Sequence, residues 1–401
     1  MAVKTLERIE QFAIDVILMK RYGKRAALLR MLLYILSFGY NGIVRLRYWL
    51  YETRICQWHS VGCKVISVGN LTVGGTGKTP VVEKTARTLR DAGRKVAILS
   101  RGYKSIPRPL WQRLMRKLRF GAKPDPPRIV SDGKALLLDS ERAGDEPCML
   151  ATNLDDVVVL VDKDRVKSAL YAIENMGIDT IILDDGYQYL PLKERINICL
   201  VDRYTPFGNR FLLPRGTLRE PKDHMKRSDV IFITKCDGSD ISEIKNELRK
   251  YNCHAPIHEC THHPVYLQDL SSGDKLPLDY LTKRKVGALS GIAVPESFEA
   301  GLKNLGAQII YRRHYADHHR FSEREVVNAI NRTHARGGHA LITTEKDAIR
   351  FPRIDRRPLP VYFLRVEINL LSTEEDFASL ILRACGIEAE ASFVTTSAAG
   401  T

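Results

Sequence analysis

Residues 69–80 read GNLTVGGTGKTP. Val65, Ile66, Ser67 and Val68 before it read as a buried strand, and VVEKTARTLRDAG after Pro80 has helical spacing. A glycine-rich turn between strand and helix, closing on Gly77-Lys78-Thr79, is the pattern of a phosphate-binding loop. The chemistry requires these residue types. Gly74, Gly75 and Gly77, with Thr76 between them, let backbone N–H groups curl round a phosphate chain where a Cβ would block the approach. The helix that follows points its positive end at the same phosphates. Lys78 reaches the terminal phosphates, and Thr79 offers its hydroxyl to Mg²⁺. The strict pattern places its first glycine at position 72, where this chain has Thr72.

Strand-like runs follow at 96–100, 156–161, 180–185, 196–202 and 229–235, with helical stretches such as 165–176 between several of them. This alternation predicts a mainly parallel α/β sheet covered on both faces, with ligands beyond the carboxyl ends of its strands. Turn-rich sequence near SSGDKLPLD interrupts the pattern, and VGALSGIA, AQIIYRR and HALITTEKD then give a second, smaller alternation. The expected organisation is a membrane-associated amphipathic helical segment over 1–55 and a P-loop domain over 56–255 with a basic insertion at 104–127. A smaller α/β domain follows over 256–386, and a disordered tail over 387–401.

The 401 residues carry a formal net charge of +15, which calls for acidic partners. Lys20 to Tyr51 holds seven Lys and Arg residues before its aromatic cluster Tyr48, Trp49 and Tyr51, around the apolar run MLLYILSFGY. That clean run is about half of what a spanning helix needs. It reads as a basic amphipathic segment on an anionic membrane surface. Lys104 to Lys123 repeats the theme, with Trp111, Leu114, Met115 and Leu118 on one helical face. No zinc-finger spacing or RNA-reading aromatic pattern accompanies the charge, so no nucleic-acid partner is expected. The eight cysteines are scattered without a C-x-x-C pair and predict no disulfide framework. Most histidines of the 253–263 stretch are expected at the surface.

Other segments could carry chemistry. Asp184 and Asp185 end the run TIILDD, where strand-tip carboxylates beside a phosphate loop serve a metal ion. Asp145 and Glu146, before a helical stretch, could cap that helix or serve as base and metal ligand. HYADHHR (314–320) sets histidines beside a carboxylate on a turn, and residues 207–221 form a shaped loop presenting Arg215, Arg219 and Glu220. Thr234-Lys235-Cys236-Asp237 imitates a guanine-reading N-K-x-D, which keeps a membrane-associated GTPase switch as the alternative.

In this order GNLTVGGTGKTP, SRGY (100–103), GDEP (144–147), DDGYQY (184–189), GNRFLLPRGTLREP (208–221), LSGIAVPESF (289–298), ADHH (316–319) and TTEKDA (343–348) form a set. With it the chain resembles the bacterial tetraacyldisaccharide 4′-kinases of lipid A synthesis. The resemblance implies ATP- and Mg²⁺-dependent phosphorylation of the 4′-hydroxyl of a tetraacylated disaccharide 1-phosphate, giving lipid IVA. It also implies a monotopic enzyme on the cytoplasmic face of the inner membrane. Asp145 then matches the base, His318 its partner and Lys78 the phosphate-loop lysine. Thr79, Glu146, Asp184 and Asp185 match the surroundings of the metal, and Arg165, Gln188, Arg219 and Glu220 match polar positions near the substrate. The family's strand-tip motif usually ends in His, whereas position 189 here is Tyr. A Tyr does not titrate near neutral pH.

Overall fold

In the computed structural model the described residues are 12–102, 125–193, 195–352, 354, 357–371 and 376–387. The first eleven residues, the tail from 388 and nearly all of the basic insertion (103–124) lie outside them. So does the surface expected over Lys104–Lys123.

Strand β1 (Lys64–Gly69) leads through the phosphate loop to helix α1 (Lys78–Asp91), and β2 (Val96–Ser100) follows. The next elements are β3 (Arg128–Asp132), α2 (Ser140–Ala143), α3 (Asp145–Asn153), β4 (Val158–Val161), α4 (Arg165–Met176), β5 (Thr180–Asp184), β6 (Arg195–Asp202) and β7 (Val230–Thr234). Helix α5 (Ser242–Arg249) precedes β8 (Ile257–Asp269), β9 (Lys275–Leu276), β10 (Lys285–Ser290), α6 (Pro295–Asn304) and β11 (Gln308–His314). Helix α7 (Glu323–His334), β12 (Ala340–Thr344), α8 (Glu345–Ala348), β13 (Val361–Leu370) and α9 (Phe377–Ala384) follow among the described residues.

Among the described residues the strands form one sheet in the order β11-β10-β12-β13-β8-β7-β6-β1-β5-β2-β4-β3, with β9 beside β8. Both faces are covered, because alternate side chains of a strand point to opposite sides. Ile66 and Val68 of β1 pack with Val81, Val82 and Leu89 of α1. Val65 packs on the other face with Ala169 and Ala172 of α4. Pairing is parallel except at β3 with β4 and at β8 with β13 and β9.

Strand β8 is the joint between the two halves. Residues Ile257 to Glu259 pair parallel with β7, and Cys260 to Asp269 pair antiparallel with β13. The expected boundary at 255/256 falls just before this strand. Of the four histidines of 253–263, His254 and His263 are exposed as expected, while His258 and His262 on β8 are half-buried. His262 is half-buried against the phosphate loop, so that a Cβ on Gly77 would lie 2.6 Å from its Nε2. Burial, with Lys235 adding, pushes the His262 imidazole down to about 4, so it is neutral near physiological pH.

Ahead of the sheet, α10 (Lys24–Glu52) is a 29-residue helix, about 43 Å long at 1.5 Å per residue. Tyr40 donates to the Arg219 carbonyl at 2.8 Å, Arg45 pairs with Asp223 at 2.9 Å, and Arg47 donates to the Gln188 carbonyl at 3.2 Å. Leu28, Met31, Ile35, Phe38, Leu46 and Trp49 are exposed. Its spacing places those six along one side.

Candidate active site

Strand β1 ends at Gly69, where a Cβ would meet Tyr187 at 2.7 Å, and the chain turns at once into the phosphate loop. The loop is braced from below by Asn70, which is fully buried and donates to Thr76 Oγ1 at 3.0 Å and Thr72 Oγ1 at 3.3 Å. Thr72 stands where the strict motif has glycine because this part of the loop is a strand edge. Thr72 bridges to Leu218, and Val73 N–H donates to the Thr217 carbonyl at 2.7 Å. Glycine freedom is needed further on, at Gly74 (φ 128°) and Gly77 (φ 74°). Gly77 caps α1 with no side-chain bond, which leaves the first amides of that helix open toward Lys78 and Thr79.

Beside the loop, β5 ends in Asp184, and Asp185 follows at φ 50°. Asp185 is held by Arg219 at 2.7 Å and by Lys78 at 3.5 Å. Burial alone would raise its carboxyl, but Lys78, Arg219 and Arg165 hold it below its ordinary value. Gln188 bridges this group to the loop, donating to the Asn70 carbonyl at 2.9 Å and accepting from Arg219 at 3.3 Å. Arg165 is buried, donates to the Asp184 carbonyl at 3.1 Å and lies over the Tyr189 ring. Tyr189 Oη in turn accepts from the Arg165 amide at 3.0 Å, so the tyrosine at this position braces the start of α4.

Asp184 is the least satisfied acid. Its Oδ2 accepts from Ser100 at 3.0 Å, while its Oδ1 is buried without a hydrogen-bond partner among the described residues. Burial, with Glu146 and Asp185 adding, pushes its carboxyl up to about 7. An orphaned buried oxygen among carboxylates beside a phosphate loop fits a divalent cation. Among the described residues no three His, Cys, Asp or Glu side chains form a metal cage.

The raised Asp184 value has a sign that can be tested. Below about pH 4 the group is protonated in both folded and unfolded chains, and its contribution to stability is then at its highest. Between there and about 7 the folded chain holds the proton more tightly, so stability falls as pH rises. In metal-free buffer the thermal midpoint is therefore expected to drop more from about pH 5 to about pH 8 in the wild type than in Asp184→Asn. Equal drops would show that the carboxyl is ionised throughout.

Across the cleft, Asp145 and Glu146 form the first turn of α3, whose N-cap Gly144 supplies no side-chain bond. Neither acid behaves as a cap. Asp145 is buried, and its Oδ2 lies 2.9 Å from His318 Nδ1. Burial would raise the Asp145 carboxyl, but the His318 hydrogen bond, Arg350 and Arg320 hold it below its usual value. His318 reaches it from the turn after β11, at φ 64°. An open pocket here is lined by Ser100, Asp145, Glu146, Pro147 and His318. Lys346 spans its rim, 3.8 Å from Glu146 and 3.6 Å from Asp317.

Glu220 sits apart from this pocket. It is buried, with His224 at 2.6 Å and Arg227 at 2.5 Å, and it anchors the loop that presents Arg219. Arg215 is also buried, over the Phe211 ring. Sequence reasoning missed Asn70, Lys346 and Arg350. Arg350 had a legible signal, since it stands three residues after Asp347 at the end of a short helix, the spacing of an ion pair.

The TKCD segment is built differently from a guanine reader. Asp237 accepts from Ser239 N–H at 3.0 Å and Ser239 Oγ at 2.8 Å and pairs with Arg203. Lys235 pairs with Asp202, and Thr234 Oγ1 donates to the Thr76 carbonyl at 2.9 Å. One oxygen of the carboxylate that would read a guanine edge, Oδ1, is thus engaged within the segment.

The family model for tetraacyldisaccharide-1-P 4′-kinase matches residues 29–386. A tetraacyldisaccharide 4′-kinase from Syntrophus aciditrophicus is 36% identical over 362 residues, covering 88% of this chain and 92% of the relative. One from Halothermothrix orenii is 35% identical over 401 residues, covering 95% and 99%. The structure of LpxK from Aquifex aeolicus in complex with ATP is similar with a TM-score of 0.68 at 31% identity, covering 89% of this chain and 99% of that one. With the phosphate loop, the acid pairs and these relatives together, the chain belongs to the tetraacyldisaccharide 4′-kinase family, whose enzymes phosphorylate the lipid A precursor.

Proposed function

We propose that the cleft between the phosphate loop and Asp145 transfers the γ-phosphoryl of ATP to the 4′-hydroxyl of tetraacyldisaccharide 1-phosphate at the cytoplasmic face of the inner membrane. The observation that carries this reading is the pairing of Asp145 with His318 in a pocket that also holds Glu146 and Ser100, the residue bonded to Asp184.

The open amides of α1, with Gly74, Gly75, Thr76 and Gly77, take the phosphates. Lys78 leaves Asp185 for the β- and γ-phosphate oxygens, and Arg219 keeps Asp185 neutralised when it does. Thr79, Glu146, Asp184 and Asp185 would hold Mg²⁺, which when bound draws negative charge off the phosphate oxygens. Asp145 takes the proton of the 4′-hydroxyl, that oxygen forms its bond to the γ-phosphorus, and the bridging oxygen leaves with ADP. His318 holds Asp145 in line. Catalysis is mainly positioning and charge neutralisation, as phosphoryl transfer requires. Arg165 and Glu220 act from behind the surface, through Asp184 and Arg219. Gln188 and Arg219 accept from α10 through their backbone carbonyls and so face the lipid acceptor.

Helix α10 is long and apolar enough to cross a membrane by length and composition, with mean hydropathy 1.5 over its most apolar window. Its contacts with the 219–223 loop favour a helix lying along an anionic surface, with the row from Leu28 to Trp49 in the acyl boundary. Residues 1–55, 56–255 and 256–386 then serve as anchor, P-loop unit and base-bracing unit.

The test is transfer of labelled phosphate to tetraacyldisaccharide 1-phosphate in neutral or anionic vesicles, with ATP or GTP and with Mg²⁺ or EDTA. Transfer from ATP is expected, faster on anionic vesicles and lost in EDTA. Lys78→Ala is expected to fall by at least about a hundredfold. GTP hydrolysis without lipid product would support a GTPase switch instead.

A further inference from the structure

We propose that Arg350 is a positioning residue that holds both partners of the Asp145–His318 pair in place for transfer. This rests on the reading of Asp145 as proton acceptor.

Arg350 follows α8, and its side chain is 0% exposed. A buried guanidinium needs partners, and this one reaches five groups, with Nη2 held by an ion pair and no hydrogen bond among the described residues. Its Nε lies 3.5 Å from Asp145 Oδ2 and donates to the Lys346 carbonyl at 3.1 Å. Its Nη2 pairs with Asp347 Oδ1 at 3.1 Å. Its Nη1 donates to the His319 carbonyl at 3.1 Å and to the Gly291 carbonyl at 3.5 Å. One rigid fork therefore touches the carboxylate and also the backbone beside His318.

Apart from His318, the partner at 2.9 Å, the other supports of Asp145 are looser. Arg320 is 43% exposed and 4.0 Å from Oδ1. The first turn of α3 has no side-chain cap to orient the acid from its own helix. Arg350 is itself fixed, because Asp347 accepts from Gly291 N–H at 3.0 Å and from Thr344 Oγ1 at 2.6 Å. Thus Gly291 and Thr344 orient Asp347, Asp347 orients Arg350, and Arg350 orients Asp145 and the His318 turn. A helix-end pair serving stability alone would need only the contact between Asp347 and Arg350. The extra reach to Asp145 and His319 is what a positioning role adds. The guanidinium plane matters here, since an ammonium lacks the fixed fork.

The experiment is a set of steady-state rates on the full chain in detergent with ATP and tetraacyldisaccharide 1-phosphate. Arg350→Met is expected to lower kcat about a hundredfold, with KM for both substrates within about threefold. Arg350→Lys, which keeps the charge, is expected to recover to within about tenfold of wild type. In an Asp145→Asn background, Arg350→Met is expected to add less than about threefold, because it acts through the group already removed.

Wild-type kcat in Arg350→Met, or a full multiplicative loss in the Asp145→Asn background, overturns the proposal. Should Arg350→Met not fold, Asp347→Asn with Arg350→Met removes the buried charges as a pair. Its kcat is expected to show the same loss, and a folded double variant at wild-type kcat overturns the proposal. If Asp145→Asn itself stays active, the base assignment falls and the Arg350 role with it. If Asp145→Asn is inactive and Arg350→Met is not, only the Arg350 role falls.

Discussion

Replacing Asp145 by asparagine is expected to lower turnover about a thousandfold, with ATP affinity within about twofold of wild type. The substitution is nearly isosteric and leaves an oxygen that can still face His318 at the 2.9 Å position. It removes the negative charge, and with it the capacity to take a proton from a hydroxyl. The fold should survive, since Arg350 keeps Asp347 as a counter-ion. ATP affinity should survive because Lys78, Thr79 and the open amides of α1 lie on the other side of the cleft. The ionised state of Asp145 costs burial energy, and His318, Arg350 and Arg320 offset that cost. Such an acid is a weak base in the ground state, which suits a reaction whose proton moves late and whose barrier falls mainly by positioning. Single-turnover transfer and equilibrium binding of ATP separate the two effects. A variant that keeps more than about a tenth of wild-type turnover would remove Asp145 from the mechanism.

Replacing Arg365 by methionine is expected to destabilise the chain by about 3–5 kcal/mol. Arg365 on β13 is buried between Glu345, at 2.7 Å, and Glu83 of the phosphate-loop helix. Asn153 of α3 donates to the same two acids, at 2.6 Å to Glu345 and 3.2 Å to Glu83. The network thus ties α1, α3, α8 and β13 together around one cation. Burial drives the Glu345 carboxyl above its usual value even with Arg365 present. Without Arg365 two acids would share a dry site with Arg87 at its edge, 2.6 Å from Glu83. Urea denaturation checks this, and adding Glu83→Gln and Glu345→Gln should restore most of the loss, because removing all the charges is far milder than stranding two. A single variant within about 1 kcal/mol of wild type would show that water reaches the network freely.

Much of this was legible from residues near one another in sequence. The phosphate loop depends on glycines at fixed spacing between an apolar run and a helical run, and both runs formed where they were expected. The strand tip at Asp184 and the loop presenting Arg219 follow from the same local rules. Their partners did not. No local pattern in TTEKDAIR says that Arg350 crosses to Asp145, which is about two hundred positions away, or that Arg365 reaches Glu83. The histidines of 253–263 have the composition of a polar surface segment. One strand of mixed pairing nevertheless drives His262 against Gly77, since β8 must face β7 on one stretch and β13 on the next. Thr72 likewise looks like a departure in the sequence, and its pairing with Leu218 shows why glycine is not needed there.

The sequence by itself determined the periodic elements, the glycine-dependent turn and the kinds of charged group available, because propensity, turn chemistry and hydrophobic period act over a few residues. Only the tertiary structure decided which charges meet. Burial sets the charge state of each carboxylate according to the cations and acids brought beside it. Asp145 is kept ionised by His318 and Arg350, while Asp184 is pushed toward protonation by burial and by Glu146. That difference arises from long-range packing and desolvation, which no short stretch of sequence contains.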